Sequence, residues 1–95
     1  MTQIVWAPQA LDDLEAIRRY VAQSSTQFAD LVVWRLVEAV DRLERYPRSG
    51  RTVPEVGNPS LREIVVGNYR IVYRLRRDVA EILMVFHGAR AFPRE

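Results

Sequence analysis

Leu61-Arg62-Glu63-Ile64-Val65-Val66-Gly67-Asn68-Tyr69-Arg70-Ile71-Val72-Tyr73-Arg74 is the stretch that decides the fold. From Leu61 onward the hydrophobic period is two, and Gly67-Asn68 interrupts it as a two-residue turn with glycine first, as a type II′ hairpin prefers. Closing the hairpin there sets Val66 against Tyr69, Ile64 against Ile71 and Arg62 against Tyr73 on one face. The other face pairs Val65 with Arg70, Glu63 with Val72 and Leu61 with Arg74. A second turn at Arg77-Asp78 brings Tyr73 opposite Ile82, Ile71 opposite Met84 and Tyr69 opposite Phe86, with Arg74 opposite Glu81 and Val72 opposite Leu83. The two registers agree on one division of the sheet. Ile64, Val66, Tyr69, Ile71, Tyr73, Ile82, Met84 and Phe86 form an apolar face. Glu63, Arg70, Arg74, Glu81 and His87 fall on the opposite face among Leu61, Val65, Val72, Leu83 and Val85. A one-residue slip would exchange the faces, and the apolar one resists it.

Upstream the period becomes helical. Thr2 to Trp6 reads as a short first strand, and Pro8 suits the first turn of a helix whose Leu11, Leu14, Ile17 and Val21 recur at helical spacing. Ser24-Ser25-Thr26 supplies a break and an N-cap. A second helix spans about 27–45, with Phe28, Leu31, Val32, Leu36, Ala39, Val40 and Leu43 as its stripe, and Pro47 ends it. Val33, Trp34 and Val37 lie off that stripe, as a broadened buried face or as a docking surface. Residues 46–60 hold three prolines and two glycines and read as a loop carrying Arg48 and Arg51. The expected architecture is α+β: βααβββ, a helix hairpin packed on one face of an antiparallel sheet.

Ninety-five residues make a single domain, 1–95, and 48% apolar residues suffice for its core. Cysteine and lysine are absent and histidine occurs once, at His87. That excludes disulfides, thiolate chemistry, a Schiff-base or Walker lysine and His-based zinc spacings. No metal and no cofactor is expected. No basic leader precedes an apolar stretch and no stretch approaches membrane-spanning length, so a cytoplasmic location without a membrane partner is expected. The net charge of +2 hides an asymmetry. Residues 1–41 carry three arginines against six acids, −3; residues 42–95 carry eleven against six, +5. Such a basic half suits an anionic partner or merely solvates the surface.

In its element order and wording the chain resembles the RelE/ParE family of bacterial toxins from type II toxin–antitoxin modules, closer to ParE-like members. The resemblance rests on Pro8-Gln9-Ala10-Leu11-Asp12-Asp13-Leu14 with Tyr20, on Tyr46-Pro47-Arg48-Ser49-Gly50-Arg51 and on Leu61-Arg62-Glu63. It continues through Gly67-Asn68-Tyr69-Arg70-Ile71-Val72-Tyr73-Arg74 and His87-Gly88-Ala89-Arg90, so it covers the whole chain.

The resemblance implies a growth-inhibiting, plasmid-stabilising toxin held in check by a cognate antitoxin, and it leaves the target open. ParE-like members inhibit DNA gyrase; RelE-like members cleave mRNA on the ribosome without metal. Metal-free cleavage needs a base for the 2′-OH, charge stabilisation at the phosphate and an acid for the leaving oxygen. Glu63, Arg70, Arg74 and His87 are the residues that could supply them. For an inhibitor, Arg62 and Arg90 have the fewest structural partners and are the expected target contacts. Val33, Trp34 and Val37, with Arg70 and Arg74, are the expected antitoxin contacts. RelE-like nucleases place a tyrosine or histidine near the chain end, whereas this sequence closes Arg90-Ala91-Phe92-Pro93-Arg94-Glu95. The expectation is therefore a gyrase inhibitor, with a ribosome-dependent mRNA endonuclease or a non-toxic antitoxin-binding module as alternatives.

Overall fold

The computed structural model describes residues 1–92, so Pro93-Arg94-Glu95 of the closing segment lies outside the described residues. The elements are β1 (Gln3–Trp6), α1 (Pro8–Ala22), α2 (Thr26–Asp41), β2 (Arg51–Thr52), β3 (Leu61–Val66), β4 (Tyr69–Arg76) and β5 (Val79–His87). Pro8 opens α1 within its first turn, and the Ser25 hydroxyl accepts from the Phe28 amide at 3.1 Å to cap α2. The second helix stops earlier than its periodicity suggests, tightening into one 3₁₀ turn over Arg42–Glu44.

The five strands form one sheet in the order β1-β5-β4-β3-β2. Two features depart from the sequence reading. β1 runs parallel to β5 (Gln3 opposite Val79, Trp6 opposite Ile82), so the sheet is mixed. The helix hairpin carries the chain from β1 at one edge of the sheet to β2 at the other, and β3, β4 and β5 then return to β1. The second feature lies within the expected loop. There Arg51 and Thr52 pair with Glu63 and Arg62 and close the far edge of the sheet.

The β3–β4 register is as expected at all six positions, and Gly67 takes the positive φ of 56° that the turn demands. The β4–β5 register holds through Arg74–Glu81 and Tyr73–Ile82, then breaks. Leu83 is an extra residue, after which Val72 faces Met84, Ile71 faces Val85, Arg70 faces Phe86 and Tyr69 faces His87. A β-bulge of this kind advances the pairing by one and exchanges the faces of everything beyond it. Met84 and Phe86 therefore leave the helix-facing core where the sequence reading put them, and Val85 takes their place.

The result is a sheet with apolar packing on both faces. Ile71, Tyr73, Ala80, Ile82 and Val85 bury against Ala10, Leu36, Ala39, Val40 and Leu43 of the helical side. On the other face Val53, Val72 and Phe86 form a second cluster, with Leu61, Leu83, Met84 and Phe92 packed on it. Leu11, Phe28 and Leu31, expected in the helical stripes, are exposed. Small Ala10 and Ala29 occupy the closest approaches instead, being fully buried. Val33 and Val37 are half-buried, and Trp34 is 59% exposed.

Candidate functional site

The outer face of the sheet, away from the helices, carries a closed network of charges. Glu63 is 1% exposed, and its carboxylate accepts from Arg51 Nε at 2.6 Å and Arg70 Nε at 2.7 Å. Glu63 and Arg70 meet as diagonal neighbours across β3 and β4, the reach expected of long side chains on a pleated face. The far side of the Arg70 guanidinium grips Glu55 with two parallel bonds of 2.9 and 2.8 Å. Arg70 also lies over the rings of Phe86 and Phe92, 5.1 and 5.6 Å from their centroids. The Arg70 hydrogen bonds hold the Glu55 carboxyl down at about 2. The same bonds to Glu55 keep Arg70 firmly protonated against the opposing effect of burial.

Beside this network a second fixture anchors the loop before β2. The buried Tyr73 hydroxyl donates to the Pro47 carbonyl at 2.7 Å and accepts from the Gly50 amide at 3.1 Å. Burial pushes its pKa up, keeping the phenol a donor. Gly50 is required here because a Cβ would stand 2.5 Å from that hydroxyl and 2.6 Å from the Glu63 carbonyl. Arg62 completes the anchor, donating to the Pro59 carbonyl at 3.1 Å and the Gly50 carbonyl at 2.9 Å.

A groove of about 690 Å³ opens on the other side, between α1 and the end of β5. Asp13, Ile17 and Tyr20 line it from the helix, Tyr69 and His87 from the sheet, and Arg90 from the turn after β5. β1 pairs with β5 only as far as Ile82, so among the described residues the β5 edge beyond it has no strand partner. Asp13 blunts that edge by accepting the Val85 amide at 2.9 Å. His87 stacks edge-on to Tyr69, ring centroids 5.5 Å apart, and its Nδ1 accepts from the Ala89 amide at 3.0 Å. That bond places the proton of the neutral ring on Nε2, which can then donate but not accept.

The four residues read as a possible nuclease set thus do not assemble. The bulge at Leu83 moves His87 to the side of Tyr69, while Glu63 and Arg70 stay on the opposite face with their oxygens and donors engaged. Arg74 is half-buried opposite Glu81 and joins neither group. The expected antitoxin set divides too: Trp34 is open on α2, whereas Arg70 is enclosed on the far face of the sheet. Of the expected target contacts, Arg90 is exposed at the groove mouth, but Arg62 is half-buried and committed to backbone carbonyls. Sequence reasoning missed Glu55 and Asp13. Neither carried a periodic signal, since Glu55 sits in an irregular loop and Asp13 read as a helix-end acid.

A family model described as the ParE toxin of type II toxin–antitoxin system, parDE, matches residues 4–92. The Toxin RelE2 of Caulobacter vibrioides is 40% identical over 91 residues, covering 95% of this chain and 99% of that protein. A putative toxin, Y4kP, of Sinorhizobium fredii is 40% identical over 94 residues, covering 96% and 93%. Among solved structures, the chromosomal ParDE TA system from P. aeruginosa superposes with a TM-score of 0.76 at 24% identity, covering 92% of this chain and 96% of that one. A toxin RelE mutant of E. coli in complex with an antitoxin RelBc peptide gives 0.51 at 17% identity, covering 95% and 85%. Both share the fold described above.

Proposed function

Because the chain belongs to the ParE toxin family of type II toxin–antitoxin systems, we propose that it acts by binding and inhibiting DNA gyrase and is neutralised by a cognate antitoxin. One observation carries the inhibitor reading over the nuclease alternative: the bulge at Leu83 parts His87 from Glu63 and Arg70, and a closed ion network engages the latter two. A general base must reach the proton it abstracts. Glu63 is buried with both oxygens bonded to guanidiniums, out of reach of a substrate proton, and Arg70 already holds two carboxylates. What remains accessible is suited to contact rather than proton transfer: Arg90 at the groove mouth and the apolar side chains of Phe28, Leu31 and Trp34 on α2.

The groove between α1 and β5 favours an antitoxin segment as its occupant. It combines an unpaired strand edge, the apolar Ile17, Tyr20 and Tyr69, and the cation of Arg90. Those features match an acidic, amphipathic chain that orders on binding. The target is tested by adding purified protein to a gyrase supercoiling reaction and, in parallel, to ribosome-bound mRNA. The expected result is blocked supercoiling with intact mRNA. Cleavage of the mRNA that disappears in His87→Gln would overturn the inhibitor reading.

A further inference from the structure

At the end of the sheet where β3 begins and β4 finishes, Pro47, Arg48, Pro59, Ser60, Leu75 and Arg77 line a cleft of about 170 Å³. Its walls are fixed from behind. The Tyr73 hydroxyl holds the Pro47 carbonyl, Arg62 holds that of Pro59, and the Ser60 carbonyl accepts the Leu75 amide at 2.8 Å. Among the described residues two guanidiniums belong to this lining, and no carboxylate does. Among the described residues neither Arg48 nor Arg77 enters a salt bridge, in contrast to Arg51 and Arg70 nearby in sequence.

Arg77 supplies an independent observation. It is the first residue of the two-residue turn between β4 and β5 and holds a φ of 45°. Glycine, asparagine or aspartate suits that position; a long side chain there is strained. Strain of this sort points to a use for the side chain that carries it.

We propose that this cleft binds a phosphate of a nucleic-acid backbone, with Arg48 and Arg77 as its ligands. Guanidinium forks match the paired non-bridging oxygens of a phosphodiester, and the cleft has room for the phosphate with part of a sugar against Leu75 and the prolines. No aromatic side chain lines it to stack a base, so contact is with the backbone and independent of sequence. Arg76, exposed beside Arg77, adds charge along the same edge, as a polyanion of repeating charge would exploit. The site goes beyond the gyrase reading and does not depend on it.

The test uses the full chain and a short fluorescent DNA duplex, with binding followed by anisotropy over a range of salt concentrations. Arg48→Gln and Arg77→Gly should each weaken binding by about fivefold or more and reduce the salt slope by about 0.9 for each phosphate no longer neutralised. Arg35→Gln, on the exposed side of α2, should leave binding unchanged. Arg77→Gly should at the same time raise the Tm by about 4 °C, because glycine relieves the turn. Binding and stability then move in opposite directions, which no loss of fold can imitate. Duplex binding unaffected by either substitution would overturn the proposal. So would a polyglutamate peptide that displaces the duplex at equal charge concentration, since the cleft would then be a carboxylate site.

Discussion

Glu63 shows how one residue's surroundings decide its chemistry. A glutamate on an exposed strand face is available as a base; this one is enclosed, with Arg51 and Arg70 on its two oxygens. Removing its charge leaves two guanidiniums without their shared partner, one of them buried. Glu63→Gln should therefore cost about 3 kcal/mol in chemical denaturation, through stability rather than through any catalytic step. Glu55 makes the complementary case, because it is more exposed and titrates. Its folded pKa of about 2 lies below the ordinary 4.5, so its contribution is present above about pH 4.5 and lost as pH falls towards 2. Denaturation midpoints measured across that window should fall in the wild type and vary less with pH in Glu55→Gln. The Tyr73 hydroxyl acts without charge. Tyr73→Phe keeps the ring but strands the Gly50 amide and the Pro47 carbonyl, for an expected loss of about 1–3 kcal/mol.

At the scale of elements, alternation and turn chemistry carry most of the fold. Gly67-Asn68 fixes the β3–β4 register because a two-residue turn admits one pairing, and that pairing puts Ile64, Ile71 and Tyr73 on the same face. Ser25 marks the start of α2 because its hydroxyl satisfies an amide the helix cannot. The bulge was not legible for an equally physical reason. Ile82-Leu83-Met84-Val85-Phe86 is apolar at every position, so alternation says nothing about which residue is extra. Both faces of the sheet accept apolar groups, and the usual cost of a slip disappears. The error propagated to the site, since the side assigned to His87 depends on that one residue. Deleting Leu83 makes the point testable. Without the extra residue a regular ladder should keep Val72 against Met84, Ile71 against Val85 and Tyr69 against His87, so loss of the Tyr69–His87 ring contact in NMR spectra would sink this register. The variant should keep its fold and lose about 1–2 kcal/mol, the packing that half-buried Leu83 contributes to the outer cluster. A deletion variant as stable as the wild type would show that the bulge is dispensable.

For the whole molecule, the question is where the charge asymmetry resides once the internal pairs are set aside. The network on the outer face takes Arg51 and Arg70 together with Glu55 and Glu63, two of each sign, so it neutralises itself. The +5 of residues 42–95 is therefore carried by the other nine arginines against four acids, Arg48, Arg76, Arg77 and Arg90 among them on the surface. A field of that sign would draw in an antitoxin of acidic contact surface, whereas Trp34 and Phe28, 59% and 51% exposed, offer area that only contact can use. Long-range attraction is screened by salt within about 10 Å at 0.1 M, and buried apolar packing is not. Raising ionic strength should therefore slow association with the cognate antitoxin while leaving dissociation nearly constant. The two kinds of residue should separate in the same measurement. Arg90→Ala should lower the association rate and flatten its salt dependence. Trp34→Ala should leave association alone and speed dissociation about tenfold, as the loss of an aromatic anchor does. Association that ignores ionic strength would mean that the asymmetry plays no part in recognition, and a silent Trp34→Ala would move the apolar contact off α2.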